Sequence, residues 1–144
     1  MVGSAIRAVH RIAVTGSVRA AWRETVRILA IDDTRTLREL LCRTLRAARY
    51  DVVEAENGEE GLNRFGEHRP DVVITDLNMP VLDGIEFTRA VRQRSDGGEV
   101  PIIILTTESG AEIKAEGRKA GATAWMVKPF DPQRLLDMLA RLRK

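Results

Sequence analysis

The sequence has a single cysteine and no long hydrophobic run. Cys42 cannot form an internal disulfide, and it lies in a helical pattern of leucines, so we expect a buried structural thiol in a reducing compartment. The longest apolar stretches have the length of strands, which excludes a bilayer-spanning helix. We therefore expect a cytoplasmic protein without membrane insertion.

A basic excess is also missing from most of the chain, although the formal net charge is +2. Residues 1–26 hold four arginines and one glutamate, a charge of +3, which leaves −1 for residues 27–144. Direct nucleic-acid binding is therefore not expected. Neither His10, near the arginines, nor His68, beside a predicted turn, has neighbours that suit a metal ligand or a general base.

Residues 1–26 differ from the rest of the chain, because they contain mainly small residues and arginines without sustained periodicity. They predict a disordered N-terminal extension, or an upstream extension of the reading frame, with an organelle transit peptide as an alternative. The remaining length suffices for one hydrophobic core and not for two. We predict one domain over residues 27–144.

In this domain, strand-like hydrophobic runs alternate with helical patterns. Such alternation is typical of βαβ units, in which helices cover both faces of a parallel sheet. The predicted strands span residues 28–32, 51–55, 71–75, 101–105 and 123–127, and a helix follows each. The sequence therefore predicts an α/β fold.

Several residues predict how these helices begin. Asn57 is a candidate N-cap of the second helix, and Asp131 is a candidate N-cap of the fifth. Ser109 with Glu112 predicts a capping box for the fourth helix. Gly117 lies inside that helix and is expected to weaken it.

Polar side chains end four of the predicted strands. Asp32 and Asp33 end the first strand, Asp76 follows the third, Thr106 follows the fourth and Lys128 follows the fifth. Each has an ordinary alternative explanation, since aspartate is common in turns, threonine in strands and lysine on surfaces. Their shared position favours a site, because open α/β sheets bind ligands beyond the carboxyl ends of their strands.

These residue types suit phosphoryl transfer onto a carboxylate. Neighbouring carboxylates repel one another unless a hard cation with oxygen ligands neutralises them, which predicts Mg²⁺ held by Asp32 or Asp33. A backbone carbonyl near Asn78 would add a ligand. Asp76 would be the nucleophile. Lys128 would supply a positive charge, and Thr106 would bind a phosphoryl oxygen.

Four separated motifs carry a resemblance to a known family. They are Ile28-Leu29-Ala30-Ile31-Asp32-Asp33, Thr75 to Gly84, Ile104-Leu105-Thr106-Thr107-Glu108 and Lys128-Pro129-Phe130. In order and spacing they resemble the receiver domain of two-component response regulators. The resemblance covers residues 27–144 and implies a flavodoxin-like, doubly wound sheet of five parallel strands in the order 2-1-3-4-5.

The resemblance implies a single-domain response regulator that is not an enzyme in the usual sense. It would accept a phosphoryl group from a histidine kinase on Asp76, with Mg²⁺ bound by Asp32, Asp33, Asp76 and the backbone carbonyl of Asn78. The group would be lost by self-catalysed hydrolysis or with the help of a phosphatase. Asn78 and Glu108 match positions that flank the path of the attacking water and tune this loss.

The resemblance also implies a switch formed by Thr106 and Trp125. Their movement would change the surface of the fourth helix, the fifth strand and the fifth helix, and this surface would control an unidentified protein partner, in chemotaxis or in another pathway. The ordinary alternative for Trp125 is a half-buried strand aromatic.

In relatives the bond between Lys128 and Pro129 is cis. We expect a monomer.

Other functions remain open at this point. A receiver could serve as a phosphorelay intermediate or phosphate sink, or as an interaction module that works without phosphorylation. A haloacid-dehalogenase-type phosphatase uses similar residues, but its nucleophile lies on the first strand and its general acid two residues later, where this chain has Asn78. A DNA-binding regulator is not expected either, since no effector domain follows the fifth helix.

Overall fold

The computed structural model describes residues 25–142, in which five strands alternate with five helices. Most of the predicted N-terminal extension, residues 1–24, lies outside the described residues, as do residues 143–144. The elements are β1 (Arg27–Ile31), α1 (Arg35–Ala47), β2 (Asp51–Ala55), α2 (Gly58–His68), β3 (Val72–Thr75), α3 (Gly84–Arg92), β4 (Ile102–Thr106), α4 (Ala111–Ala120), β5 (Ala124–Val127) and α5 (Pro132–Leu142). The bounds of every strand agree with the prediction to within one residue.

The five strands form one parallel sheet in the order β2-β1-β3-β4-β5, which confirms the predicted topology. Helices cover both faces, so alternate residues of a strand enter different cores. Ile28 and Ala30 pack on the side of α1 and α5, whereas Leu29 and Ile31 pack on the side of α2 and α3. This two-sided burial explains why the central strands are continuous apolar runs. Within residues 25–142, none of the helices has the length and apolar character needed to cross a membrane.

The predicted caps of two helices are confirmed. The side chain of Asn57 accepts a hydrogen bond of 2.8 Å from the backbone N–H of Glu60 at the start of α2. The Asp131 side chain accepts one of 2.9 Å from the backbone N–H of Gln133, and Pro132 is the first residue of α5. These hydrogen bonds satisfy backbone donors that the first turn of a helix leaves free.

The predicted capping box of α4 is wrong. Gly110 is the N-cap residue of this helix, and no side chain caps it. Ser109 therefore lies one residue before the cap, and Glu112 is the second helical residue instead of the third. Glu108, which precedes Ser109, accepts hydrogen bonds from Trp125 of β5 and from Asn78 in the loop after β3. These tertiary contacts accompany the later start of α4. The helix continues through Gly117 without a break.

The register of the central strands brings the polar strand ends together. Ile31 of β1 is paired with Thr75 of β3, so the residues that follow them are neighbours. The backbone N–H of Asp76 donates to the Ile31 carbonyl at 2.9 Å. On the other side, the backbone N–H of Lys128 donates to the Thr106 carbonyl at 2.8 Å.

Candidate functional site

Three carboxylates meet beyond the ends of β1 and β3. Asp32 and Asp76 are buried and Asp33 is exposed, and one oxygen from each lies within 4.8 Å of those of the other two. The turn after β1 is held by the backbone N–H of Thr34, which donates to Asp32 Oδ1 at 2.9 Å. The donor set consists of carboxylate oxygens, the ligand type that Mg²⁺ prefers. These residues therefore fit a hard divalent cation.

The side chain of Lys128 extends into this cluster from the end of β5. Its Nζ lies 2.8 Å from Asp32 Oδ2 and 3.5 Å from Asp76 Oδ1, and the side chain is only 10% exposed. The peptide bond between Lys128 and Pro129 is cis, as the sequence resemblance implied. When ionised, three carboxylates and one ammonium group leave a charge of −2, which a divalent cation would neutralise.

The environment of Asp76 disfavours its ionised form. Burial raises the pKa of this carboxyl group above its ordinary value, and the negative charge of Asp32 adds to the rise, whereas Lys128 opposes it. Asp76 Oδ1 accepts a hydrogen bond of 2.8 Å from the backbone N–H of Leu77. The Lys128 ammonium approaches the same oxygen, so both of these positive or donor groups lie on the Oδ1 side of the carboxylate.

Glu108 joins the other predicted residues into one network beside the carboxylates. Its backbone N–H donates to Thr106 Oγ1 at 3.3 Å, and its side chain accepts a hydrogen bond of 2.7 Å from the Asn78 amide. The indole N–H of Trp125 donates to the Glu108 carbonyl at 2.9 Å. Thr106 is fully buried, Trp125 is partly buried and Asn78 is exposed. The structure thus brings all of the predicted site residues to one edge of the sheet.

Sequence reasoning missed two contributors to this edge. The Arg38 guanidinium donates to the backbone carbonyl of Asp32 at 2.7 Å and to Glu54 Oε1 at 3.3 Å, so it connects the turn after β1 to α1 and β2. Nothing in the sequence distinguishes Arg38 from the other arginines of α1. Asp83 and Glu86 form a capping box that begins α3 directly after the loop that follows Asp76. Their spacing was a usable signal.

The sequence has relatives among known proteins. Residues 28–140 match the family model described as the response regulator receiver domain. A protein named response regulator MprA, from Mycobacterium sp. (strain KMS), is 42% identical over 118 residues, which are 82% of this chain and 49% of that protein. The MprA protein of Mycobacterium leprae (strain TN) is 41% identical over 118 residues, which are 82% of this chain and 50% of that protein. The chain thus spans about half the length of these relatives.

Solved structures share the fold. The chemotaxis protein CheY4 of Vibrio cholerae is 45% identical with a TM-score of 0.79, over 82% of this chain and 98% of that one. The receiver domain of the sensor histidine kinase PA1611 from Pseudomonas aeruginosa PAO1 is 28% identical with a TM-score of 0.78, over 83% of this chain and 99% of that one. The PA1611 structure has a magnesium ion coordinated in its active-site cleft.

Proposed function

Because the chain belongs to the response regulator receiver family, we propose that it is a two-component signalling switch, in which Asp76 accepts a phosphoryl group from a histidine kinase. The observation that carries this proposal is the convergence of Lys128 on the buried carboxylates of Asp32 and Asp76. A lysine so placed balances carboxylate charge before the reaction and phosphoryl charge after it. We propose residues 27–144 as the receiver unit.

In the proposed reaction, a carboxylate oxygen of Asp76 attacks the phosphorus of the donor phosphohistidine. A P–O bond to Asp76 forms while the P–N bond breaks, and the released imidazole takes a proton from solvent. Lys128 stabilises the charge on the phosphoryl oxygens. When bound, Mg²⁺ neutralises the charge shared by the carboxylates and the phosphoryl group. The residues proposed to hold it are Asp32, Asp33, Asp76 and, through its backbone carbonyl, Asn78.

The network around Glu108 suits the response to phosphorylation. The Thr106 hydroxyl oxygen accepts a hydrogen bond from the Glu108 N–H, and its own proton would be donated to a phosphoryl oxygen. Trp125 would respond through the Glu108 carbonyl. The exposed surface of α4, β5 and α5 would then present a changed shape to a protein partner. Asn78 follows Asp76 by two residues and is hydrogen-bonded to Glu108, and this pair would restrict the water that hydrolyses the acyl phosphate.

The pathway and the remaining partners form the outer part of the proposal. The likeness to the chemotaxis protein CheY4 favours chemotaxis as the process. A phosphatase is the additional partner that we propose. We propose that the protein acts as a cytoplasmic monomer through protein contacts, without direct nucleic-acid binding.

The test is intact mass spectrometry after incubation with acetyl phosphate and Mg²⁺. We expect the wild-type chain to gain one phosphoryl group, and we expect no gain without Mg²⁺ or in the Asp76→Asn variant. Asp137→Asn is the matched control, because Asp137 is exposed on α5 and should leave phosphorylation intact. Equal labelling of the wild type and Asp76→Asn would refute the assignment of Asp76. A folded wild-type chain that gains nothing would favour an interaction module that works without phosphorylation.

A further inference from the structure

The partly buried ring of Trp125 packs against α4 at a glycine. Trp125 contacts the small apolar cluster that includes Ile104 and Ala120, and Gly117 is buried in the same region of α4. A Cβ atom at position 117 would lie 2.8 Å from Cζ3 and 3.2 Å from Cε3 of Trp125. The first distance is too short for a carbon contact and the second is unusually tight, so a side chain at 117 requires the ring to shift from this position.

The opposite edge of the same ring is hydrogen-bonded. Trp125 Nε1 donates to the Glu108 carbonyl at 2.9 Å. An indole is rigid and turns about only two side-chain bonds, so a push on its six-membered ring also displaces Nε1. The space at Gly117 and the hydrogen bond to Glu108 therefore depend on each other.

Glycine is otherwise a poor choice for this position. It is unfavourable in the interior of a helix, where alanine is the best residue. The backbone of Gly117 does not have a positive φ, so its conformation does not require glycine. What Gly117 contributes is space for the indole.

From this geometry we propose that Gly117 is a positioning residue for the switch: it keeps Trp125 bonded to Glu108 and thereby sets the conformation of the loop that contacts Thr106 and Asn78. The path is contiguous, because Glu108 also contacts Thr106 through its backbone N–H and Asn78 through its side chain. The effect on phosphorylation rests on the function proposed above. The effect on the ring does not.

The first experiment tests the ring alone. In a Trp22→Phe background Trp125 is the only tryptophan, so its fluorescence and its indole N–H resonance report one side chain. We expect Gly117→Ala to raise the population of unbonded ring about tenfold, equivalent to ~1.4 kcal/mol. The readouts are stronger quenching by acrylamide and faster exchange of the indole proton with solvent. Unchanged quenching and exchange would overturn the proposal.

The second experiment separates the packing effect from the general effect of alanine on a helix. Phenylalanine has a smaller ring than tryptophan and no N–H donor. Gly117→Ala should therefore alter the rate of phosphorylation by acetyl phosphate when residue 125 is tryptophan, and leave this rate unchanged in the Trp125→Phe background. Such non-additivity is what a double-mutant cycle measures. Equal effects of Gly117→Ala in both backgrounds would overturn the coupling between Gly117 and Trp125.

The two experiments also separate this proposal from the proposed function. A ring that moves while the phosphorylation rate stays constant refutes the influence of Gly117 on the phosphorylation site. If the wild-type chain takes up no phosphoryl group, the proposed function fails, and the fluorescence and exchange measurements still decide whether Gly117 positions the ring.

Discussion

At the scale of single residues, Val81 has the backbone conformation least suited to its side chain. It lies in the loop between β3 and α3 with φ of 73°, and it is 75% exposed. The Leu82 N–H donates to the Pro80 carbonyl at 2.8 Å, so Val81 is the centre of a tight three-residue turn. A β-branched residue is sterically strained at positive φ, which asparagine adopts more readily. We expect Val81→Asn to raise the free energy of unfolding by ~1 kcal/mol, as measured by urea denaturation.

Val81→Ala provides the comparison. Alanine is not β-branched but keeps the Cβ atom that makes left-handed backbone unfavourable, so it should recover less stability than asparagine. Equal stability of the valine, alanine and asparagine proteins would show that the loop bears no such strain.

A second residue, Cys42, should make stability depend on pH in the alkaline range. Burial raises the pKa of its thiol to about 11, and Glu54 adds to the rise. An unfolded thiol ionises near ~8.5, so between these values the native state binds the proton more tightly than the unfolded state does. The free energy of unfolding should therefore fall as the pH rises through this window, by at most ~1.4 kcal/mol per pH unit from this group. Urea denaturation at a series of pH values measures the slope.

The control is Cys42→Ala, which keeps every other alkaline titration of the chain. The variant should be less stable at neutral pH, because it leaves a small cavity among Leu41, Leu45 and their neighbours. Its stability should nevertheless fall less steeply as the pH rises. Parallel curves for the wild type and the variant would assign the alkaline loss to other groups.

At the scale of elements, Arg92 links three parts of the chain. It lies at the end of α3 and donates to the carbonyls of Gly97 and Gly121, each at 2.8 Å, with a weaker contact to Thr123 Oγ1 at 3.4 Å. Arg92→Ala would leave these carbonyls without their partner. We expect a loss of ~2 kcal/mol in the free energy of unfolding, measured by urea denaturation.

Arg89→Ala is the matched control, since Arg89 is exposed on the same helix. Removing an exposed arginine should change stability by no more than about 0.5 kcal/mol. If the two substitutions were equally costly, the contacts of Arg92 with the glycine carbonyls would contribute nothing of their own.

The elements also show what the sequence could predict. Strands buried on both faces must be continuous apolar runs, so their positions and the polar residues at their ends were predictable. Asn57 and Asp131 were predictable caps because their partners lie two or three residues away. The contacts of Gly117 with Trp125 and of Arg92 with Gly121 were not predictable, because they depend on distances between elements that only the folded chain establishes.

At the scale of the whole molecule, the charge at one edge of the sheet opposes folding. Burial and Asp32 raise the pKa of Asp76, which means that folding disfavours its ionised form. At neutral pH in the absence of divalent cations, Asp76→Asn should therefore increase the free energy of unfolding.

Mg²⁺ should stabilise the wild-type chain, by ~2.7 kcal/mol at a concentration one hundred times its dissociation constant. Thermal unfolding with and without Mg²⁺ measures both effects.

The comparison across variants shows whether the stabilisation arises at this cluster. NaCl at equal ionic strength controls for the general screening of charges by salt. Screening should change the thermal stability of the wild type and of Asp76→Asn more evenly than a bound cation does. Asp33→Asn removes the exposed carboxylate of the cluster, so it should weaken the response to Mg²⁺ without a large change in metal-free stability. Asp137→Asn changes an exposed residue of α5 and should respond to Mg²⁺ as the wild type does. Because a cation stabilises the fold only when it binds the native state more tightly than the unfolded state, an equal response of all four proteins would place Mg²⁺ elsewhere.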